Sequence, residues 1–275
     1  MKKVWQIVTV LLAHTVLSGG LAQSMLAIEP PTALVNAKPG QSVTFNLKVG
    51  NPRKEPTKVR ITLSDWKFTQ VGRVSYQALG TVEESASPWT SLSASEINLP
   101  GNSIETVRYT VKVPANAKPG THWGMIFFGG DVLQPQPGMA GTAMSMRVAH
   151  TFYVNVGEIT RSGKIAGIFS KLPTEPTLPI QLTVQYQNTG NSAQNVDGRF
   201  ELRDSSGKVV ITGKLETNTV LPGTTRMLII NLGGPLPAGS YTLLAILNYG
   251  DKETDVAGET NFKLKIALLE PPIPK

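Results

Sequence analysis

Apolar residues recur at every second position in short runs along most of this chain, and each run ends on Pro, Gly or Asn. Val43, Phe45, Leu47 and Val49 alternate with polar residues and stop at Gly50-Asn51-Pro52, while Val59, Ile61 and Leu63 lead on to Trp66. Val107, Tyr109, Val111 and Val113 alternate with Thr106, Arg108, Thr110 and Lys112. A period of two puts successive side chains on opposite faces, so each run predicts a strand with one buried and one wet face. No stretch carries the apolar period of a helix over three or more turns. Many short strands separated by turn residues predict an all-β sandwich architecture.

The pattern then repeats. Ile180, Leu182, Val184 and Tyr186 end at Asn188-Thr189-Gly190-Asn191, matching the run that ends at Asn51. Leu99-Pro100-Gly101 precedes a strand, and Leu221-Pro222-Gly223 precedes its counterpart from Met227 to Leu232. Lys118-Pro119-Gly120 introduces His122 to Phe128, as Leu236-Pro237-Ala238-Gly239 introduces Tyr241 to Leu247. Matched features in the same order, at a period near the size of an immunoglobulin-like domain, predict two tandem β-sandwiches joined near Gly157. The expected boundaries are residues 23–156 and 157–268, with a Pro-rich tail at 269–275.

Residues 1–22 read differently. Lys2-Lys3, an apolar stretch from Val4 to Leu17, and small residues at Gly20 and Ala22 predict a secretory signal peptide cut after Ala22. The expected location is therefore the periplasm or the cell surface, with no stable membrane span in the mature chain. The full chain carries a formal charge of +7. Its Lys and Arg are scattered, which points to a solvated surface rather than a nucleic-acid partner.

Candidate chemistry is sparse. With no Cys among 275 residues, disulfides, thiolate metal sites and cysteine nucleophiles are excluded. Beyond the signal segment the only His residues are His122 and His150, too few for the usual zinc ligand set. No Gly-x-Ser-x-Gly elbow accompanies them. His150 falls on the stripe Met144, Met146, Val148, His150, Phe152, Val154, Val156, where a structural role is expected. Glu83 and Glu84 are expected on opposite faces of a strand, and Asp251 to Asp255 lacks calcium-loop spacing. The reading is a protein without catalytic activity, metal or cofactor.

Binding surface remains. The apolar strand ending at Phe128 is followed by Gly129-Gly130-Asp131 and a Gly- and Pro-rich loop to Thr142. Met139, Met144, Met146, Arg147 and Val148 are the candidate partner-binding residues. If the strand from Met144 lies at a sheet edge, its backbone pairs with an incoming polypeptide and its side chains line the contact. If the stripe faces the core, the same residues serve packing.

Ser87-Pro88-Trp89-Thr90, Leu99-Pro100-Gly101, Val113-Pro114 and Lys118-Pro119-Gly120 resemble the first domain of PapD-like proteins, nearest the WxL-interacting proteins. The second half, with Arg203-Asp204-Ser205-Ser206-Gly207 and Tyr249-Gly250, is similar to the second domain of that group. The resemblance implies an exported envelope-binding protein. By the pilus-chaperone branch it would hold an envelope or surface polypeptide during assembly; the alternative, by the WxL-interacting branch, is a surface adhesin or scaffold that binds cell-wall polymer. The chaperones anchor a subunit's terminal carboxylate with a cleft Arg and Lys. Here the strand around Leu34 and Val35 has no Arg, and the strand after Met144 has Arg147 but no Lys. WxL-interacting proteins usually end in a membrane helix, whereas this sequence ends in Leu269-Glu270-Pro271-Pro272-Ile273-Pro274-Lys275.

Overall fold

In the computed structural model, which describes residues 26–130, 147–251 and 253–270, the alternating runs form strands at the expected places. The first ten are β1 (Ala27–Glu29), β2 (Thr32–Ala37), β3 (Ser42–Asn51), β4 (Thr57–Phe68), β5 (Val74–Gln77), β6 (Thr90–Leu92), β7 (Glu96–Leu99), β8 (Ser103–Lys112), β9 (Gly120–Gly129) and β10 (Arg147–Val156). The next seven are β11 (Gly163–Lys171), β12 (Ile180–Asn188), β13 (Gln194–Asp204), β14 (Val209–Val220), β15 (Thr225–Leu232), β16 (Gly239–Asn248) and β17 (Val256–Leu264). Ser87–Trp89 forms a single 3-10 turn, the only helical element among the described residues.

Strands β1 to β10 build two facing sheets, ordered β1-β3-β8-β6 and β2-β10-β9-β4-β5, with β7 paired to β4. Strands β11 to β17 build two more, ordered β11-β12-β15 and β14-β13-β16-β17. The fold is all-β and immunoglobulin-like. Each sandwich closes on its own apolar core. Leu47, Val49, Val107, Tyr109 and Val111 meet Ile61, Ile126, Phe128, Phe152 and Val154 in the first, and Ile180, Leu182, Val184 and Tyr186 meet Leu202, Leu243 and Leu247 in the second. These are the inward halves of the alternating runs, removed from water because sheets bury one face against another.

The repeated Asn turns have one physical cause. Asn51 Oδ1 accepts the N–H of Arg53 at 3.0 Å, and its Nδ2 donates to the carbonyls of Glu55 at 2.8 Å and Pro100 at 3.1 Å. Asn188 Oδ1 likewise accepts the N–H of Gly190 at 3.0 Å, and its Nδ2 donates to Ser192 at 2.8 Å and Val220 at 3.0 Å. In both sandwiches a buried amide closes its own turn and ties it to the segment before the next long strand.

Strand β9 departs from simple alternation. Its residues from Gly120 to Phe128 are all buried, so both faces are covered, as in the central strand of a three-layer arrangement. Ile126 and Phe128 face the first core, whereas Trp123, Met125 and Phe127 join Trp66 and Val82 in a separate cluster on the outer face. Leu221 of the second sandwich completes that cluster, with Ala193 packed against it. Around it, Thr121 donates its N–H to the Asn191 carbonyl at 2.8 Å and accepts the Ala193 N–H on its hydroxyl at 2.9 Å. The Met227 N–H donates to the Gln70 carbonyl at 2.8 Å, and the Arg226 guanidinium lies 5.0 Å from the centre of the Phe68 ring. Gly72 turns the β4–β5 hairpin at φ +87°, a conformation that L side chains rarely adopt, and a Cβ there would collide with Arg226.

Glu83 and Glu84 require a correction. They sit in a turn rather than on opposite faces of a strand, because the buried Asp65 carboxylate gathers the preceding backbone. Its Oδ2 accepts the N–H groups of Gly80, Thr81 and Val82 at 2.8, 3.1 and 3.2 Å, and its Oδ1 accepts the Ser85 hydroxyl at 2.5 Å. Glu83 pairs at the surface with Lys118 at 2.7 Å; that hydrogen bond and charge hold its carboxyl below the usual range.

Candidate functional site

The polar halves of the alternating runs converge on the outer face of the β1-β3-β8-β6 sheet. Because Phe45, Leu47, Val107 and Tyr109 point inward, Thr44, Asn46, Lys48, Thr106 and Arg108 point out. Strand register then sets them side by side: Glu29, Lys48 and Thr106 share one row, Asn46 and Arg108 the next, and Thr44, Thr110 and Ser91 a third. Glu29, Pro30, Asn46, Lys48, Thr106 and Arg108 line an open groove of about 590 Å³.

The groove offers several kinds of polar contact. Lys48 Nζ lies 3.5 Å from Glu29 Oε2, with both side chains largely exposed, a pairing worth little in water and readily exchanged for a ligand. Arg108 is in no ion pair among the described residues, and its backbone is held by exchange of hydrogen bonds with Ser93 at 2.8 and 3.1 Å. A guanidinium offers a planar fork of donors for carboxylate, and the Asn46 amide and Thr106 hydroxyl both donate and accept. Such a surface can hydrogen-bond hydroxyl and carboxylate groups.

Residues 34–129 match a known protein-family model, that of the WxL Interacting Protein, peptidoglycan binding domain. The resemblance expected from the turn and strand motifs is met over this segment, which runs from β2 to the end of β9 and contains the groove's Asn46, Lys48, Thr106 and Arg108. Among solved structures, the class 5 fimbriae chaperone CfaA is 13% identical over 88% of this chain and 100% of its own, with a TM-score of 0.48. The E. coli chaperone DraB is 16% identical over 88% of this chain and 96% of its own, with a TM-score of 0.42. A chaperone–tip adhesin complex of CFA/I fimbriae biogenesis aligns at 12% identity over 89% of this chain and 100% of that one, with a TM-score of 0.48. No curated protein sequence matches the chain.

The residues singled out after the Gly- and Pro-rich loop fall in different places. Met139, Met144 and Met146 lie outside the described residues. Arg147 is exposed, its guanidinium 4.1 Å from the Phe127 ring centre and 5.5 Å from that of Tyr76. Val148 is half-buried against the first core, and Phe152, Val154 and Val156 lie within it. Strand β10 is flanked on both sides from Thr151 to Val156, by β9 and by the parallel β2, and from Arg147 to His150 it pairs, among the described residues, with β9 alone.

His150 is fully buried on this stripe, Nδ1 2.8 Å from the Pro30 carbonyl and Nε2 2.9 Å from the Tyr109 hydroxyl. A carbonyl only accepts, so Nδ1 carries the proton and Nε2 accepts from Tyr109. Burial lowers the His150 pKa, partly opposed by the bond to Pro30. The unfolded chain, with its histidine near 6.5, then takes up the proton first. Stability is accordingly full above that pH and falls as pH drops through the window below it, by at most about 1.4 kcal/mol per unit for this one group. Urea unfolding from pH 7 to about pH 5 should show this loss, and His150→Gln should flatten it; an equally steep variant would assign the slope elsewhere.

Proposed function

We propose that this chain is an exported, non-catalytic binding protein of the cell envelope whose first sandwich holds peptidoglycan on the outer face of β1-β3-β8-β6. The observation that carries this reading is the family match over residues 34–129. The groove adds chemical sense to it. Glycan strands present hydroxyl and acetamido groups, and their stem peptides present carboxylates; Asn46 and Thr106 suit the former, Lys48 and Arg108 the latter. Export through the signal-like segment of residues 1–22 belongs to the same proposal.

Co-sedimentation with purified sacculi tests it. The protein should pellet with sacculi, and the double variant Lys48→Glu, Arg108→Glu should bind at least about tenfold more weakly, equivalent to about 1.4 kcal/mol. Both side chains are outward, so the variant should melt with the parent protein. A parent that stays in the supernatant, or a folded variant that binds unchanged, overturns the proposal.

A further inference from the structure

We infer that the free edge of β5 is a docking strand for an extended, acidic polypeptide segment, a second interaction surface separate from the polar groove. Among the described residues, strand β5 pairs with β4 alone. The hairpin's hydrogen-bond phase follows from its tip, where Thr69 donates its N–H to the Arg73 carbonyl at 2.8 Å. Antiparallel pairs alternate between bonded and non-bonded. Lys67 with Ser75 and Asp65 with Gln77 are then the bonded pairs, and Val74 and Tyr76 turn their own N–H and C=O groups away from β4. None of those backbone groups has a partner among the described residues.

The side chains on this edge are apolar and unusually exposed. Val74 is 41% and Tyr76 52% exposed, with Val71 and Leu79 exposed at either end; elsewhere in the described first sandwich only Leu34 and Ile104 are large, apolar and exposed. Natural sheets normally protect an edge with charge, Pro or a covering segment, and this one carries apolar side chains instead. Tyr76 packs edge-on against Phe127, ring centres 5.1 Å apart, and Arg147 covers Phe127 from the same side. The rings thus form a fixed floor at the edge rather than a loose tip.

Charge selects the partner. Arg73 precedes the free residues and Arg147 stands 5.5 Å from the Tyr76 ring centre; neither is in an ion pair among the described residues. Asp65, which pairs across from Gln77 of β5, is engaged in its loop bonds. A segment alternating apolar and acidic side chains would add as a strand, placing apolar groups on Val74 and Tyr76 and carboxylates toward the arginines.

Fluorescence anisotropy of the full protein with a labelled peptide of alternating Val and Glu, about six residues long, tests this. The Val-Glu peptide should bind, and a Val-Lys peptide of equal length should bind at least about tenfold more weakly. A Val-Glu peptide N-methylated along one edge keeps its charge but cannot form the ladder, and should also lose about tenfold; this arm leaves the protein untouched. Tyr76→Glu should weaken the unmodified peptide while sacculus binding stays at the parent level. Absence of binding by the parent Val-Glu peptide, equal binding of the Val-Lys peptide, or equal binding of the N-methylated peptide would each overturn the inference.

Discussion

Asp65→Ala is expected to lower the unfolding free energy by about 3–5 kcal/mol, the largest stability effect of any single polar residue described above. Asp65 is almost fully buried and accepts from three consecutive backbone N–H groups and the Ser85 hydroxyl. Alanine removes the common acceptor, so three donors in a partly buried turn must find water or remain unpaired. The turn also does structural work beyond itself. It carries Glu84, Ser85 and Ala86, which pair with Trp123: Ala86 donates to the Trp123 carbonyl at 2.8 Å and Trp123 donates to that of Glu84 at 3.1 Å. On that side β4 pairs with β9 only from Met125 to Gly129, so the Asp65-bound segment covers the β9 edge that β4 leaves. Asp65→Asn should cost distinctly less, because its amide oxygen can still accept the three N–H groups while its NH2 donates to Ser85. Urea titration of both variants checks this; a loss below about 1 kcal/mol for Ala, or equal losses for Ala and Asn, would contradict the assigned role.

The second large effect concerns the seam between the sandwiches. Leu221 is fully buried among Trp66, Trp123, Met125 and Phe127. Leu221→Asp would bury an unpaired carboxylate there, which is far less costly to expose by parting the sandwiches than to retain. Calorimetry should therefore show one cooperative transition for the parent and two for the variant, because each sandwich keeps its own core. Leu221→Ala should keep the single transition at a lower temperature, with a loss of about 2–5 kcal/mol. Two transitions in the parent would mean that the seam does not couple the halves, and one unchanged transition in Leu221→Asp would mean that the carboxylate finds solvent without parting them. Sacculus binding should survive Leu221→Asp, since the groove lies on the far sheet of the first sandwich.

The alternating runs and their turn residues were sufficient to place long strands such as β3, β8 and β12, because side-chain alternation and turn chemistry are local: Val107 to Val113 shows its buried and wet faces in seven letters, and Asn51 and Asn188 announce turns they close with their own amides. The lack of thiols and the scarcity of His were equally plain. The three-dimensional fold decided which strands become neighbours. Asn46, Lys48 and Arg108 each look like ordinary wet-face residues, and only the β3–β8 register sets Asn46 beside Arg108, a pairing between segments some sixty residues apart. The apolar strand from Trp123 to Phe128 is buried on both faces, and the cover of its outer face includes Leu221 from the other sandwich, which no local pattern indicates. Likewise, the stripe ending at Val156 left edge and core open, and only the fold sets its part from Thr151 to Val156 between β2 and β9. Local periodicity says which face of a strand avoids water; what covers that face, and what lies along the strand's edges, depends on contacts distant in sequence.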